Sequence, residues 1–114
     1  MGETGDRRSD PVPVYGSQRD QGSPVVVVST SDRPGEDVIL AFVSSVKPPS
    51  LLATDLPIDT SHPDFSVTGL KVASIVKCDK LAPVQRRILF GELGALSPTL
   101  VGELNACLRV ALGL

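Results

Sequence analysis

The sequence predicts an α+β domain in which a small, mostly antiparallel β-sheet is followed by a single C-terminal helix. Two observations lead to this prediction. Short apolar runs separated by turns rich in proline and glycine fill most of the chain, and an amphipathic helical pattern ends it. The 114 residues are enough for one hydrophobic core and too few for two domains of ordinary size. We therefore predict one domain over residues 25–114, preceded by a flexible segment over residues 1–24.

Two apolar runs near the start of the predicted domain have the length and composition of strands. Residues 25–29 read Val-Val-Val-Val-Ser, a β-branched run, and residues 38–45 form a second apolar run. The Ser-Asp-Arg-Pro-Gly sequence at 31–35 is typical of a turn, because proline fixes φ and glycine tolerates positive φ. The two runs are therefore predicted to pair as an antiparallel hairpin.

The other strand assignments depend on weaker patterns. Residues 54–58 and 73–78 each have the length and apolar content of a short strand. Residues 81–89 are compatible with a strand or with a short helical turn that opens at an alanine–proline pair. Apolar alternation at residues 11–15 is interrupted by two prolines, which cannot donate to a strand ladder, so we expect at most a poor edge strand there.

The C-terminal helix is the clearest element of the sequence. Ser97 is a favourable N-cap, Pro98 suits the first helical position, and Gly113 suits a helix end. The apolar residues between them recur at helical spacing and predict a helix over residues 97–112 with one buried side. These apolar residues are Leu100, Val101, Leu104, Cys107, Leu108, Ala111 and Leu112.

The overall charge argues against one class of partner. A net charge of −2 disfavours a dedicated double-stranded DNA binder, because such proteins gain affinity by neutralising phosphates. It leaves room for a local basic groove that holds a short single strand. The N-terminus has no apolar signal-peptide core and no apolar run approaches the length of a membrane span, so we expect a cytoplasmic protein without membrane contact.

The metal-ligand pattern is also unfavourable. Cys78 and Cys107 lack the close spacing of a zinc site, and His62 is the single histidine of the sequence. The two cysteines are predicted to be buried free thiols. His62 lies in a polar loop sequence, which predicts an exposed loop residue rather than a general base.

Three segments carry a family resemblance. They are residues 37–45 (DVILAFVSS), residues 68–81 (TGLKVASIVKCDKL), and residues 91–98 (GELGALSP) together with residues 108–114 (LRVALGL). In order and spacing they are similar to the strand ending in a hydroxyl residue, the middle segment, and the closing strand and helix of the MazF/PemK family of bacterial type II toxins. The resemblance implies an SH3-like β-barrel with a C-terminal helix. It also implies a homodimer, an antitoxin protein as partner, and cleavage of single-stranded RNA without a metal or other cofactor.

The resemblance also implies site residues. Ser44 stands at the family's catalytic Ser/Thr position, while the neighbouring Ser45 faces the other side of a regular strand. The family has an arginine–proline pair before its second strand. Here Pro24 matches the proline but Ser23 replaces the arginine, and Arg19 is a candidate substitute. The residues expected to border an RNA groove are Lys71, Lys77, Arg86 and Arg87.

Three hypotheses for function remain open from the sequence. The first is an active endoribonuclease toxin, which the retained Ser44 favours. The second is a catalytically impaired relative that keeps antitoxin or nucleic-acid binding, which Ser23 favours, because serine cannot replace the charge of a guanidinium. The third is a DNA- or gyrase-binding module on the same fold, which the weak positive charge disfavours.

Overall fold

The structure is a computed structural model that describes residues 12–17, 24–29 and 35–114. Within these residues, six strands form one sheet in the order β4-β5-β3-β2-β1-β6, and every neighbouring pair is antiparallel. The strands are β1 (Val12–Ser17), β2 (Pro24–Val27), β3 (Asp37–Ser44), β4 (Asp55–Ile58), β5 (Ser74–Gln85) and β6 (Leu89–Leu96). Two helices, α1 (Phe65–Thr68) and α2 (Pro98–Leu112), and a 3₁₀ turn at Arg86–Ile88 complete the described elements.

The sheet curls into a barrel because β5 is long and irregular. Its register against β3 shifts where Ala41 pairs with Leu81 but the next residue, Phe42, pairs with Lys77. The extra residues on β5 allow the strand to bend, as β-bulges do. Helix α2 packs against β4 and β6, the two edge strands, as well as against β5. An antiparallel barrel with a C-terminal helix is thereby confirmed as the fold.

The core lies between the curled sheet and α2. All six strands contribute at least one buried apolar side chain to a single cluster, and α2 adds Leu100, Val101 and Leu104. The most completely buried large side chains, with less than 2% exposure, include Val14, Val26, Ile58 and Val76 from four different strands. Burial of this apolar surface is the main stabilising contribution, and it holds the strands in register.

Helix α2 follows the sequence prediction closely. Ser97 is the N-cap, and its hydroxyl accepts a hydrogen bond from the Leu100 N–H at 3.2 Å. Gly113 ends the helix in the left-handed conformation, with φ of 73°. The predicted apolar side is buried at Leu104 and half-buried at Leu108, but it reaches solvent in the last turn, where Leu112 is exposed.

The predicted hairpin is also confirmed, and the structure defines the strands that the sequence predicted from weaker patterns. β2 pairs with β3, with Val26 opposite Ala41. β4 matches the predicted strand at 54–58 to within one residue. The ambiguous residues 81–89 continue β5 to Gln85, pass through the 3₁₀ turn and begin β6, so the helical-turn alternative holds only for that one turn.

The expectation of a poor edge strand near residue 12 is wrong. β1 lies inside the sheet, between β2 and β6, and Val14 is completely buried. Pro13 is tolerated because β2 pairs with β1 only from Val14 onward, while Pro13 faces Ala95 of β6. The prediction of a flexible segment over residues 1–24 therefore does not hold for the strand itself. For the rest of that segment, most of which lies outside the described residues, it stays a prediction.

A close backbone approach joins α1 to strand β6. Gly69 ends α1 in the left-handed conformation and lies against the backbone of Leu93 in β6. Gly94, the next residue of β6, lies against the backbone of Val67 and Thr68. Because a side chain at either glycine would collide with backbone atoms, these contacts require glycine.

We predict that Gly94→Ala destabilises the protein by about 3 kcal/mol, because the new methyl group collides with the Val67 carbonyl, which cannot rotate away. Urea denaturation measures this change. Gly102→Ala is the matched control: it lies in α2 with open space around it, and it should stabilise the protein by about 0.5–1 kcal/mol. Equal effects of the two substitutions would contradict the close approach.

Candidate functional site

Ser44 is the last residue of β3, and the chain leaves the sheet directly after it. Its half-buried hydroxyl accepts a hydrogen bond from the Val46 N–H at 3.1 Å, which turns the backbone out of the strand. Across the ladder Ser44 pairs with Ile75 of β5, and Ile75 in turn pairs with Pro57 of β4. The hydroxyl is thus fixed at one end of three adjacent strands.

A surface cavity of about 330 Å³ lies next to this strand end. The β3–β4 loop forms one wall, and residues of β4 and the start of β5 form the other. Ser45 and Ile75, the chain neighbour and the ladder partner of Ser44, both line it. The charged side chains in its lining are those of Lys47 and Asp59. Its apolar lining includes Pro48, Pro49, Leu51, Pro57 and Ala73.

The loop wall of this cavity is anchored by Asp55. The Asp55 carboxylate accepts a hydrogen bond from the Leu52 N–H at 3.0 Å, and the Asp55 N–H donates to the Leu52 carbonyl at 3.0 Å. The other carboxylate oxygen, Oδ1, lies 3.3 Å from Lys77 Nζ. Only 1% of the Asp55 side chain is exposed, against 21% for Lys77. The ion pair therefore neutralises a buried charge and holds the loop against β5.

The predicted basic residues do not form one group. Gln85, which precedes the Arg86-Arg87 pair, lies opposite Asp37, at the start of β3, whereas Ser44 ends β3. Seven residues of extended strand separate these positions, which is roughly 23 Å at a rise of about 3.3 Å per residue. The arginines are exposed, and Arg87 Nε donates to the Gln85 side chain at 3.0 Å.

Two lysines remain on the Ser44 side of the sheet. Lys71 is exposed and lies just before the start of β5, which is the end of β5 that pairs beside Ser44. Lys47 was missed by sequence reasoning, although it follows Ser44 by three residues and lines the cavity. The signal that could have found it is the proline pair directly after it, which favours an extended backbone at this lysine, close to the strand end.

His62 has a structural role. Its Nδ1 accepts a hydrogen bond from the Asp64 N–H at 3.0 Å, and its backbone N–H donates to the Asp59 carbonyl at 3.0 Å. These bonds shape the loop between β4 and α1, and the side chain is half-buried. In the part of the chain that the structure describes, no three His, Cys, Asp or Glu side chains come together to hold a metal ion.

Two predicted positions, Ser23 and Arg19, lie outside the described residues, between β1 and β2. The proline that follows Ser23 begins β2 and pairs with Gly16. The substitution of serine for arginine therefore remains an observation of the sequence.

Residues 9–112 match the family profile described as PemK-like, MazF-like toxin of type II toxin–antitoxin system. The chain belongs to this family. The profile covers nearly the whole chain, including the N-terminal part that the three resembling segments left out. No curated protein sequence matches the chain.

Solved structures of PemK/MazF-type toxins share the fold. Mycobacterium tuberculosis toxin MazF-mt6 superposes with a TM-score of 0.72 at 24% identity, covering 90% of this chain and 97% of that one. An endoribonuclease in complex with its cognate antitoxin, from a mycobacterial species, has a TM-score of 0.68 at 21% identity, covering 91% and 92%. A MazE–MazF structure from Deinococcus radiodurans has a TM-score of 0.64 at 14% identity, covering 93% and 94%. Within the described residues of this family member, no helix combines the length and apolarity needed to cross a membrane.

We predict that Lys77→Met destabilises the protein by about 2–3 kcal/mol, because it leaves the buried Asp55 carboxylate without its cation. Urea denaturation measures the loss. Lys80→Met, an exposed position on the same strand, is the control and should change stability by less than about 0.5 kcal/mol. A cost at Lys77 no larger than at Lys80 would show that the ion pair contributes little.

Proposed function

We propose that this family member is a toxin that cleaves single-stranded RNA and that an antitoxin protein neutralises it. The observation that carries the proposal is the placement of Ser44, the family's hydroxyl position, at a strand end beside an open cavity with a lysine in its lining. The protein acts in the cytoplasm, where its RNA substrate and antitoxin are found.

In the proposed reaction, the 2′-OH of a ribose attacks the adjacent phosphorus, the P–O5′ bond breaks, and a 2′,3′-cyclic phosphate is left. The nucleophile belongs to the RNA, so the protein has to orient the phosphate, transfer protons and stabilise charge on the phosphoryl oxygens. No metal is required by this scheme. We assign Ser44 a direct catalytic role, in which its hydroxyl orients the phosphate by hydrogen bonding.

The cations near Ser44 supply positive charge for the phosphates. Lys47 in the cavity lining and Lys71 at its side are assigned this role. Arg86 and Arg87, at the far end of β3, are assigned to a more distant part of the RNA strand. Lys77 is already paired with Asp55, so its contribution to binding is indirect, through the shape of the loop.

The partner proposal rests on the fold and on the related complexes. The endoribonuclease from a mycobacterial species is in complex with its cognate antitoxin, and the Deinococcus protein is in a MazE–MazF structure. This small domain leaves large apolar side chains exposed, among them Ile88, Leu93 and Val110. We assign such surface to a homodimer contact and to an antitoxin segment, because a short chain gains stability by covering it.

A second candidate is supported by one specific observation. Ser23 stands where the family has an arginine, and a serine hydroxyl cannot stabilise a dianionic phosphoryl group as a guanidinium does. In this alternative the chain is a catalytically impaired relative that keeps the fold and the antitoxin surface.

We predict that Ser44→Ala lowers RNA cleavage about a hundred-fold, because one oriented hydrogen bond to the phosphate is lost. Gel analysis of a long single-stranded RNA, with chemical identification of the cyclic phosphate end, measures this. Cleavage should be unchanged by a chelator. Ser45→Ala is the matched control and should retain most activity, and Ser44→Thr should restore it. Equal loss from Ser44→Ala and Ser45→Ala would remove Ser44 from the site.

We predict that Ser23→Arg raises cleavage by about ten-fold or more, because it returns a charged donor to the phosphate. Rates for wild type and variant on the same RNA measure the change. Fast wild-type cleavage that Ser23→Arg leaves unchanged would make Arg19→Ala the deciding variant. If neither protein cuts any RNA while a co-encoded antitoxin still binds, the impaired-relative alternative replaces the enzyme.

A further inference from the structure

The two cysteines, distant in sequence, meet between the sheet and helix α2. Cys78 lies in β5 and is completely buried, while Cys107 lies in α2 and is half-buried. The two thiols are close enough that each shifts the pKa of the other. The Cys107 S–H donates to the Asp55 carbonyl, with 3.6 Å between sulfur and oxygen. The backbone N–H of Cys78 donates to the carbonyl of Thr54, the residue before Asp55, at 3.0 Å. Both cysteines are therefore held at the start of β4.

We propose that Cys78 and Cys107 form an oxidation site, a dithiol that a peroxide-class oxidant converts into a disulfide joining β5 to α2. Both thiols are free, and they are the only cysteines of the chain. Cys78 and Cys107 lie on different elements but are held at the consecutive residues Thr54 and Asp55, and a disulfide forms between cysteines that the fold brings together in this way. The proposal does not depend on RNA cleavage.

The difference in accessibility fixes the order of the two steps. The pKa of the Cys78 thiol is raised from 9.0 to about 12, mainly by burial and also by the neighbouring Cys107, Asp79 and Asp55. Burial also raises the pKa of Cys107, whereas the neighbouring Cys78 thiol lowers it. Cys107 is also the more accessible of the two. It is therefore the residue that meets the oxidant.

The chemistry balances with hydrogen peroxide. The Cys107 thiolate attacks one peroxide oxygen, the O–O bond breaks, and the departing hydroxide takes up the thiol proton as water, which leaves a sulfenic acid. The Cys78 sulfur then attacks the Cys107 sulfur, the S–O bond breaks, and a second water leaves with the Cys78 proton. Two thiols are oxidised and one peroxide is reduced to two waters.

The charges around the pair make this oxidation slow at neutral pH. Asp55 from β4, Asp79 from β5 and Glu103 from α2 all disfavour a thiolate, and Lys77, which precedes Cys78 in the chain, is paired with Asp55. The thiols thus resist brief exposure to oxidant. The rate should increase about ten-fold per pH unit while Cys107 is mostly protonated, because only the thiolate reacts.

The test uses the reduced full-length protein treated with hydrogen peroxide at neutral and at alkaline pH. We expect the monomer to lose two hydrogen atoms in mass and to yield one peptide pair linked through Cys78 and Cys107. The closed segment between these residues restrains the unfolded chain, so the melting temperature should increase by roughly 10 °C and return to its original value with dithiothreitol.

Two variants separate the roles of the cysteines. Cys78→Ser should leave a Cys107 sulfenic acid that dimedone captures, and Cys107→Ser should leave Cys78 unreactive in the folded protein. Because a serine hydroxyl at the buried position 78 can destabilise the fold, Cys78→Ala is tested alongside Cys78→Ser.

Four results would overturn the proposal. They are a disulfide between two molecules, a sulfinic acid on Cys107 beside a free Cys78, faster oxidation of Cys78 than of Cys107, and no reaction in the folded protein under conditions that oxidise the denatured chain.

Discussion

A buried carboxylate, that of Asp55, is the constraint on which much of this structure depends. A charge that is removed from water has to be compensated, and Asp55 is compensated by Lys77 and by the Leu52 N–H. Each compensating group belongs to a different part of the molecule, so the need for compensation fixes the β3–β4 loop against the bent strand β5. The backbone carbonyl of Asp55 also accepts the Cys107 thiol, which ties α2 to the same point. The wall of the cavity beside Ser44 is consequently attached to the core and not only to the loop.

The fold was predictable where its determinants are local. The N-cap, proline and apolar spacing of α2 all lie within one short segment, so its sequence alone was sufficient. β1 was misjudged because its place in the sheet depends on residues far along the chain. Pro13 lies opposite Ala95 of β6, and the pairing of β1 with β2 does not extend to Pro13. The extent of β5 was underestimated for the same reason, since its proline, Pro83, is accommodated by pairing with β3.

The strand-end position of Ser44 was predictable from the sequence, and the arrangement of the charges around it was less so. The strand before Ser44 has a family-like sequence and a strand end is a local feature, while the catalytic role of Ser44 stays a prediction. The grouping of Lys71 with Arg86 and Arg87 was a statement about distance, and distance depends on which strands pair and in what register. Lys77 is a further example, since its engagement with Asp55 follows from the β4–β5 ladder. The family profile establishes the ancestry of this chain, and the side chains around Ser44 have to be judged by their own geometry.

The pairing of β1 with β6 has a consequence for how the protein forms. Val14 pairs with Gly94, so the first described strand is completed by the last one, and the core cluster requires both Val14 and Leu96. Contacts between distant parts of a chain form slowly, because a long loop has to close before they contribute any energy. A ribosome-bound chain that has not yet released residues 89–96 cannot close its barrel. We therefore expect the native core to assemble only after residues 89–96 have left the ribosome, which leaves a nascent interval in which apolar strands are exposed to chaperones and to other chains.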